Sequence, residues 1–338
     1  MPGLLTPRHP YHREAEVTHF LAWRDDRPVG RTSAAINHRF NEYHKDRFGF
    51  FGFFDVVNDY EVARVLLDHA YDWIKKRGMT VIRGPGEYSC ATHERQGVLV
   101  EGFNYPNCFD TVYNFPYYQG FLERYGFVKA KDYLAHAMDL SPGMLARVRQ
   151  LAAKIRQRAR FKTRCVTQQS LNADVRLMME IYNDAWAQNW GFLPVSPNEA
   201  EGLASYLRVF GDPGLARLAF VKGEAAAMLG ILPDPNWCLR PIWQWYGDTD
   251  AIRIIRLLVG RQRIGRLRWF FFGVRERFRG LGADMLLGAE VLEYLASRNY
   301  KFIEGSMHLE DNWRTIKALE TIGMRHTKTW RIYDMALA

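Results

Sequence analysis

Arg277, Gly280, Gly282 and Ala283 stand in an order suited to holding a phosphate group. The glycines permit left-handed backbone and close approach of a ligand. Leu281, Met285, Ala289, Leu292 and Ala296 then recur at helical spacing, with Leu287, Val291 and Leu295 widening the apolar face. The unpaired N–H groups at the start of such a helix point back into the turn and form a seat for an anion. Arg277, with Arg279, would add charge-assisted hydrogen bonds. Further on, Glu304 and His308 lie in the run from Phe302 to Leu309, which reads as a strand. Strict alternation puts these two and Glu310 on one face, a set able to move a proton.

The elements that must position these groups follow in order. Leu267 to Val274 is rich in aromatic residues and fits a buried strand leading into the glycine turn. After the strand at 302–309, Asn312 to Met324 reads as a helix opened by an asparagine and closed by Gly323, and Thr327 to Tyr333 as a last strand. No G-K-[ST] follows the turn, so it is not a nucleotide P-loop, and the full G-x-G-x-x-G fingerprint is lacking.

The run R-x-x-G-x-G/A, filled here by Arg277 to Ala283, resembles the acyl-CoA loop of the GNAT (Gcn5-related N-acetyltransferase) superfamily. The asparagine-opened helix ending in Gly323-Met324 resembles the segment that follows it there. The resemblance covers residues 267–333. It implies an α/β fold of the mixed α+β kind, with acetyl-CoA or another acyl-CoA as co-substrate and no metal. The main chain of Phe272, Gly273 and Val274 would face pantetheine. Arg277, Phe278, Arg279, Gly280, Leu281, Gly282 and Ala283 would hold the diphosphate, with Asn312 near the pantetheine arm. Many members carry a tyrosine four residues before the closing glycine, which protonates the departing thiolate. Leu319 occupies that position, leaving Tyr333 and His308 as substitutes beside Glu304.

The first half of the chain echoes the second. Gly49 to Val56 reads as an aromatic strand, Glu61 to Arg77 as a helix, and Asn114 to Phe127 repeats the asparagine, helix and G-F order before the strand Tyr133 to Met138. Its turn, Asp55 to Tyr60, has no glycine and carries two acids, which suit amide capping rather than phosphate. Two GNAT-like modules in tandem follow: 1–140, degenerate; a basic linker helix over 141–170; and 171–338, holding acyl-CoA. The segment 83–107, punctuated by glycine and proline, would cover the cleft between them. Tyr88, His93 and Glu94 in that segment, and Trp186, Asn189, Trp190 and Phe192 beyond the helix at 175–186, are candidate acceptor-pocket residues; packing accounts equally well for the tryptophans.

Composition limits the alternatives. Across 338 residues, 48% hydrophobic and 14% aromatic content supports a core-rich protein. There is no membrane-length apolar run and no apolar core of a secretory leader, so the cytoplasm is the expected compartment. Cys90, Cys108, Cys165 and Cys238 are too scattered for a zinc site or a disulfide framework. A formal charge of +9 attracts anions, but no nucleic-acid recognition element accompanies it. Ile254 to Arg261 reads as a short surface element. The expected activity is transfer of an acyl group, acetyl foremost, to an amine of a small molecule or peptide. An acyl-CoA sensor without turnover and a tandem aminoacyl or peptidyl transferase are the alternatives. The retained glycine loop weighs against the last.

Overall fold

The computed structural model describes residues 10–87, 95–144, 146, 150, 153–154, 156, 161–195, 200, 204, 207–208, 212–239, 249–260, 263–298 and 300–338. Among the described residues twelve strands form one mixed sheet. The first half supplies β1 (Ala15–Arg24), β2 (Arg27–Asn37), β3 (Phe48–Val56), β4 (Val81–Gly86), β5 (Val98–Glu101) and β6 (Val128–Asp139). The second supplies β7 (Lys162–Cys165), β8 (Ala216–Val221), β9 (Glu224–Pro233), β10 (Arg266–Val274), β11 (Phe302–Leu309) and β12 (Arg325–Ala336). The helices used below are α1 (His38–His44), α2 (Tyr60–Lys75), α3 (Tyr117–Tyr125), α4 (Leu171–Ala185), α5 (Asp250–Gly260), α6 (Ala283–Ala296) and α7 (Trp313–Thr321). Each half holds one parallel pair joined through a helix, β3–α2–β4 and β10–α6–β11. Among the described residues no helix is long and apolar enough to cross a membrane.

The strand order, β1-β2-β3-β4-β12-β6-β11-β10-β9-β8-β7, departs from two self-contained modules side by side. The last strand of each half has crossed over. β6 pairs with β11, whereas β12 pairs with β4 and β5 of the first half and with β6. Neither half completes its sheet alone. Periodicity marks strands but carries no information about partners, so the exchange is invisible in the pattern.

The cores follow the two faces. Leu267, Leu287, Val291, Leu292, Ile303 and Leu319 pack on the side of α6 and α7; Val175, Met178, Tyr182, Leu232 and Phe271 pack on the side of α4. Val62, Leu66 and Ile74 of α2 cover β3 in the first half. The basic helix expected over 141–170 lies largely outside the described residues. Its end, Lys162–Cys165, is a strand on β8, and Arg164 reaches instead to the buried carboxylate of Asp174 at 2.7 Å.

Candidate functional site

β10 and β11 pair only from Arg266–Phe302 to Trp269–Gly305 and then part, although β10 continues to Val274 and β11 to Leu309. Both strands carry an irregularity where they diverge, β10 between Trp269 and Phe271 and β11 between Gly305 and His308. An extra residue at such a bulge bends the strand and turns its edge away. The result is a wedge-shaped cleft with one wall from each strand.

The glycine turn stands at its open end. Gly280 and Gly282 have φ of 75° and 86°, and an added Cβ at either would meet nothing within 4 Å. Gly282 caps α6 with no side-chain bond. Among the described residues no group accepts a hydrogen bond from the amides of residues 280–285; the first bond of the helix is Leu286 N to Gly282 O, at 3.1 Å. Those donors, with the helix dipole behind them, form an open anion seat. Arg279 is occupied, donating to Ala185 O at 2.7 Å, and Arg277 contacts Glu224. The main chain thus supplies the seat. Where β10 leaves β11, the Trp269 indole N–H is buried with no partner among the described residues. Together these features fit a phosphate-bearing cofactor laid along β10.

On the α4 face, the vertex of the cleft is heavily polar. Glu304 and Lys328, each 1% exposed, form an ion pair, and Ser306 Oγ donates to Glu304 at 3.0 Å. Arg268 spans from β10 to the Ser306 carbonyl (3.3 Å) and to the carbonyls of Phe109 (2.8 Å) and Asp110 (3.0 Å). Phe109 N in turn donates to Asp234 at 3.1 Å. A segment of the first half is therefore fastened across a cleft of the second. Burial pushes the Asp110 carboxyl up from its ordinary value, while Arg268, at 3.2 Å, and Arg95 pull it down. Its backbone is left-handed (φ 60°) and its side chain remains one-third exposed. Asparagine and aspartate tolerate that conformation better than other residues with a side chain. Asp110 lies just beyond the segment singled out in the sequence. Aspartate before a threonine in a loop has no period and no motif to mark it.

The other expected residues are distributed unevenly. Glu304 and His308 do not share a face. Glu304 aligns with Ala137, but the extra residue of the β11 bulge brings His308 opposite Leu134, on the same side as His136. There His136 Nδ1 lies 3.0 Å from His308 Nε2, and His326 stacks edge-on against His136. Burial, and then the neighbouring imidazoles, lower the His308 pKa to about 3, so it is neutral and weakly basic. Tyr333 is fully buried in the core of the first half, donating to Glu123 at 3.0 Å, because its strand has crossed over. Leu319 packs against Gly305. Asn312 accepts from Thr315 N at 3.3 Å and caps α7.

Trp186 donates through Nε1 to the Phe272 carbonyl at 3.0 Å, which ties the turn after α4 to the free edge of β10. Asn189 N and Phe192 N close that turn, and the Phe192 carbonyl accepts from His44 of α1 at 2.8 Å. Trp190 stacks on Arg83 and meets Tyr133 edge-on at 6.4 Å. Trp186, Asn189, Trp190 and Phe192 therefore lie on one turn between the halves, with Phe192 buried as packing. Tyr88, His93 and Glu94 lie outside the described residues. Among the described residues no group of three or more histidine, cysteine or acidic side chains could hold a metal ion.

A mixed sheet whose central parallel strands splay beside an uncapped helix N-terminus defines the GNAT fold. The structure is similar to the tandem GNAT protein of the clavulanic acid biosynthesis pathway, with a TM-score of 0.55, 12% identity, and coverage of 96% of this chain and 84% of that one. It is also similar to a GCN5-related N-acetyltransferase from Sphaerobacter thermophilus, with a TM-score of 0.52, 12% identity, and coverage of 93% and 78%. No family model matches the chain. It is 31% identical to the bacterial ceramide synthase of Caulobacter vibrioides over 344 aligned positions, spanning 98% of this chain and 87% of that protein, and it belongs to that family. Protein YghO of Escherichia coli is 27% identical over 316 positions, spanning 90% and 78%.

Proposed function

We propose that the protein is an N-acyltransferase that moves an acyl group from acyl-CoA to the amine of a long-chain amino alcohol of the sphingoid-base class. The observation that carries this reading is an open anion seat at the mouth of the splayed cleft, in a chain related over nearly its whole length to a ceramide synthase. A ceramide is the amide of a fatty acid with such a base, so the acceptor narrows from the general amine expected above. We read residues 171–338 as the part that holds acyl-CoA. The amides of 280–285 receive the diphosphate and the edge of β10 lines the arm. The amine enters from the α4 face, between the turn at 186–192 and the segment carrying Asp110.

The chemistry needs the amine unprotonated. Its nitrogen attacks the thioester carbonyl, the C–S bond breaks, an amide forms, and CoA departs as the thiolate. A main-chain N–H of the splayed strands stabilises the oxyanion. Asp110, partly exposed and raised in pKa, is the acceptor we assign for the amine proton. A thiol of ordinary pKa leaves without a dedicated acid near neutral pH, which accommodates Leu319 where a tyrosine is usual.

Thiol release and mass detection of the amide, with long-chain acyl-CoA and a sphingoid base, test the reading. Asp110→Asn should lower kcat by about a hundredfold and abolish the acid limb of the pH profile, with acyl-CoA affinity unchanged. That limb should fall above the usual carboxylate range, because burial raises the carboxyl. Tight acyl-CoA binding with no thiol release from any amino alcohol would instead establish a sensor.

A further inference from the structure

Arg268 stands where packing alone is served by an apolar side chain. In the parallel pair of the first half, the third rung is Phe50 opposite Arg83, and Phe50 is fully buried, edge-on to Phe40 at 5.0 Å. In the second half the third rung is Arg268 opposite Glu304, and Arg268 is 5% exposed. A guanidinium drawn out of water destabilises a fold unless its charge and its N–H groups find partners. Of the four acceptors of Arg268 among the described residues, one is the Ser306 carbonyl on β11. The other three belong to the first half: the carbonyls of Phe109 and Asp110 and the Asp110 carboxylate.

The turn that receives the guanidinium is closed on itself. Thr111 Oγ1 lies 2.8 Å from both Asn107 Oδ1 and the Cys108 carbonyl, and Asn107 Nδ2 donates to Thr111 O at 3.1 Å. Asp234 fastens its other side, accepting from Phe109 N and Asn236 N, each at 3.1 Å. Asn236 opens the short helix that carries Cys238, against which Gly260 of α5 packs. Three carboxylates meet at this vertex. Glu304 and Asp234 are each 1% exposed and already held, whereas Asp110 is one-third exposed. The cations facing Asp110 are Arg268 and, at 4.0 Å, Arg95. Burial, and then Glu304 and Asp234, push the neighbouring Cys108 thiol up, so it stays neutral.

We propose that Arg268 is a positioning residue for the transfer: it grips the 107–111 turn of the first half over the cleft of the second and keeps the Asp110 carboxylate ionised there to receive the amine proton. This rests on the acyl-transfer reading and on Asp110 as the acceptor. Two properties of Arg268 act separately. Its charge opposes the effect of burial, so Asp110 sheds its proton at a lower pH than burial alone would allow. Its rigid fork spans Ser306 on one side and Phe109 with Asp110 on the other, which a single lysine nitrogen does not. The half with the sealed corner thereby takes part in the reaction at the open one.

Carbon-13 NMR of the Asp110 carboxyl, assigned by its loss in Asp110→Asn, reads the charge without turnover, so it can fail while acyl transfer stands. Arg268→Gln should raise the carboxyl pKa by about one unit, and the acid limb of the kcat profile should move to higher pH with it. Arg95→Gln, which removes a half-exposed charge, should move both less than about half as far. Arg268→Lys should leave the limb near its original pH while kcat falls about tenfold, because the charge remains and the fork is gone. An unmoved carboxyl pKa in Arg268→Gln, or a rate loss equal at every pH, overturns the proposal. Should that variant not fold, full kcat in Arg268→Lys overturns it. Full activity of Asp110→Asn would instead overturn the assignment of Asp110 beneath it.

Discussion

The corner after β3 and the corner after β10 are built from the same parts, a strand leading into a helix beside a parallel neighbour, yet one is sealed and the other open. In the first, β3 and β4 stay paired as far as Gly52–Gly86, so closely that a Cβ at Gly52 would lie 1.7 Å from the Gly86 carbonyl oxygen. Val56 is satisfied on both sides, its N–H by the Tyr118 hydroxyl and its carbonyl by Tyr117. Asp59 caps α2 through Glu61 N and pairs with Arg24. In the second, the strands likewise part after four pairs, but β11 runs on to Leu309 whereas β4 ends at Gly86, and glycine replaces the acid cap. A helix N-terminus alone does not make an anion site; it must also be left without an internal acceptor. Strand β12 joins the two vertices, placing Asp334 against Arg83 of the sealed corner and Lys328 against Glu304 of the open one.

The largest expected effect concerns that join. Lys328→Met leaves the Glu304 carboxylate buried with Ser306 as its remaining partner and should cost about 3–5 kcal/mol of stability. Adding Glu304→Leu should restore most of the loss, because the pair is then replaced by packing. Chemical denaturation of the single and double variants reads both. A double variant as unstable as the single one would mean that the two vertices are held together by something other than that pair.

Next comes the open corner. Valine at both Gly280 and Gly282 imposes positive φ on β-branched residues and puts side chains beside the free amides. Affinity for acyl-CoA should drop by about a hundredfold, an estimate from a strain of roughly 1–3 kcal/mol per residue. Isothermal titration calorimetry decides it. Undiminished binding would move the cofactor away from α6 and remove the distinction between the corners.

These two regions differ in how far they were legible. The glycine turn and the start of α6 were readable because their ingredients are local: two residues free to take positive φ and a helix start. The strands at 266–274 and 302–309 were readable from their apolar runs. What failed was long-range. The β11 bulge adds a residue without changing composition, and it moves His308 to the opposite face from Glu304. The strand exchange carries Tyr333 into the other half. Asn114 and Asn312 occupy matching places in the sequence, yet Asn312 caps its helix while Asn114 binds the main chain of Leu99. Asp110 acquired its setting from Arg268, which lies 158 residues away in the sequence.

The histidine cluster where β6, β11 and β12 meet gives a pH-dependent effect of intermediate size. His308 has a folded pKa of about 3, below its unfolded value near 6.5. The unfolded chain therefore takes up a proton that the folded chain refuses. Stability is complete above pH 6.5 and declines as pH falls from there toward 3. About 2 kcal/mol should be lost by pH 4.5. His308→Gln should flatten this part of the profile of melting temperature against pH. A profile unchanged by the substitution would assign the acid sensitivity to the carboxylates elsewhere.

The smallest effect tests the sealed corner. Asp59→Ala removes the cap of α2 and its contact with Arg24, so the melting temperature should fall slightly. Acyl-CoA affinity should change by less than about twofold, as expected for separate sites with no shared partners. Capping also holds the Asp59 carboxyl below its ordinary value, through the hydrogen bonds from Arg24 and then from Glu61 N. Its contribution is therefore present above the unfolded carboxylate pKa and lost as pH falls through the lowered one. If the substitution weakened acyl-CoA binding instead, the first corner would be a second cofactor contact, and the difference between the two corners would be one of degree.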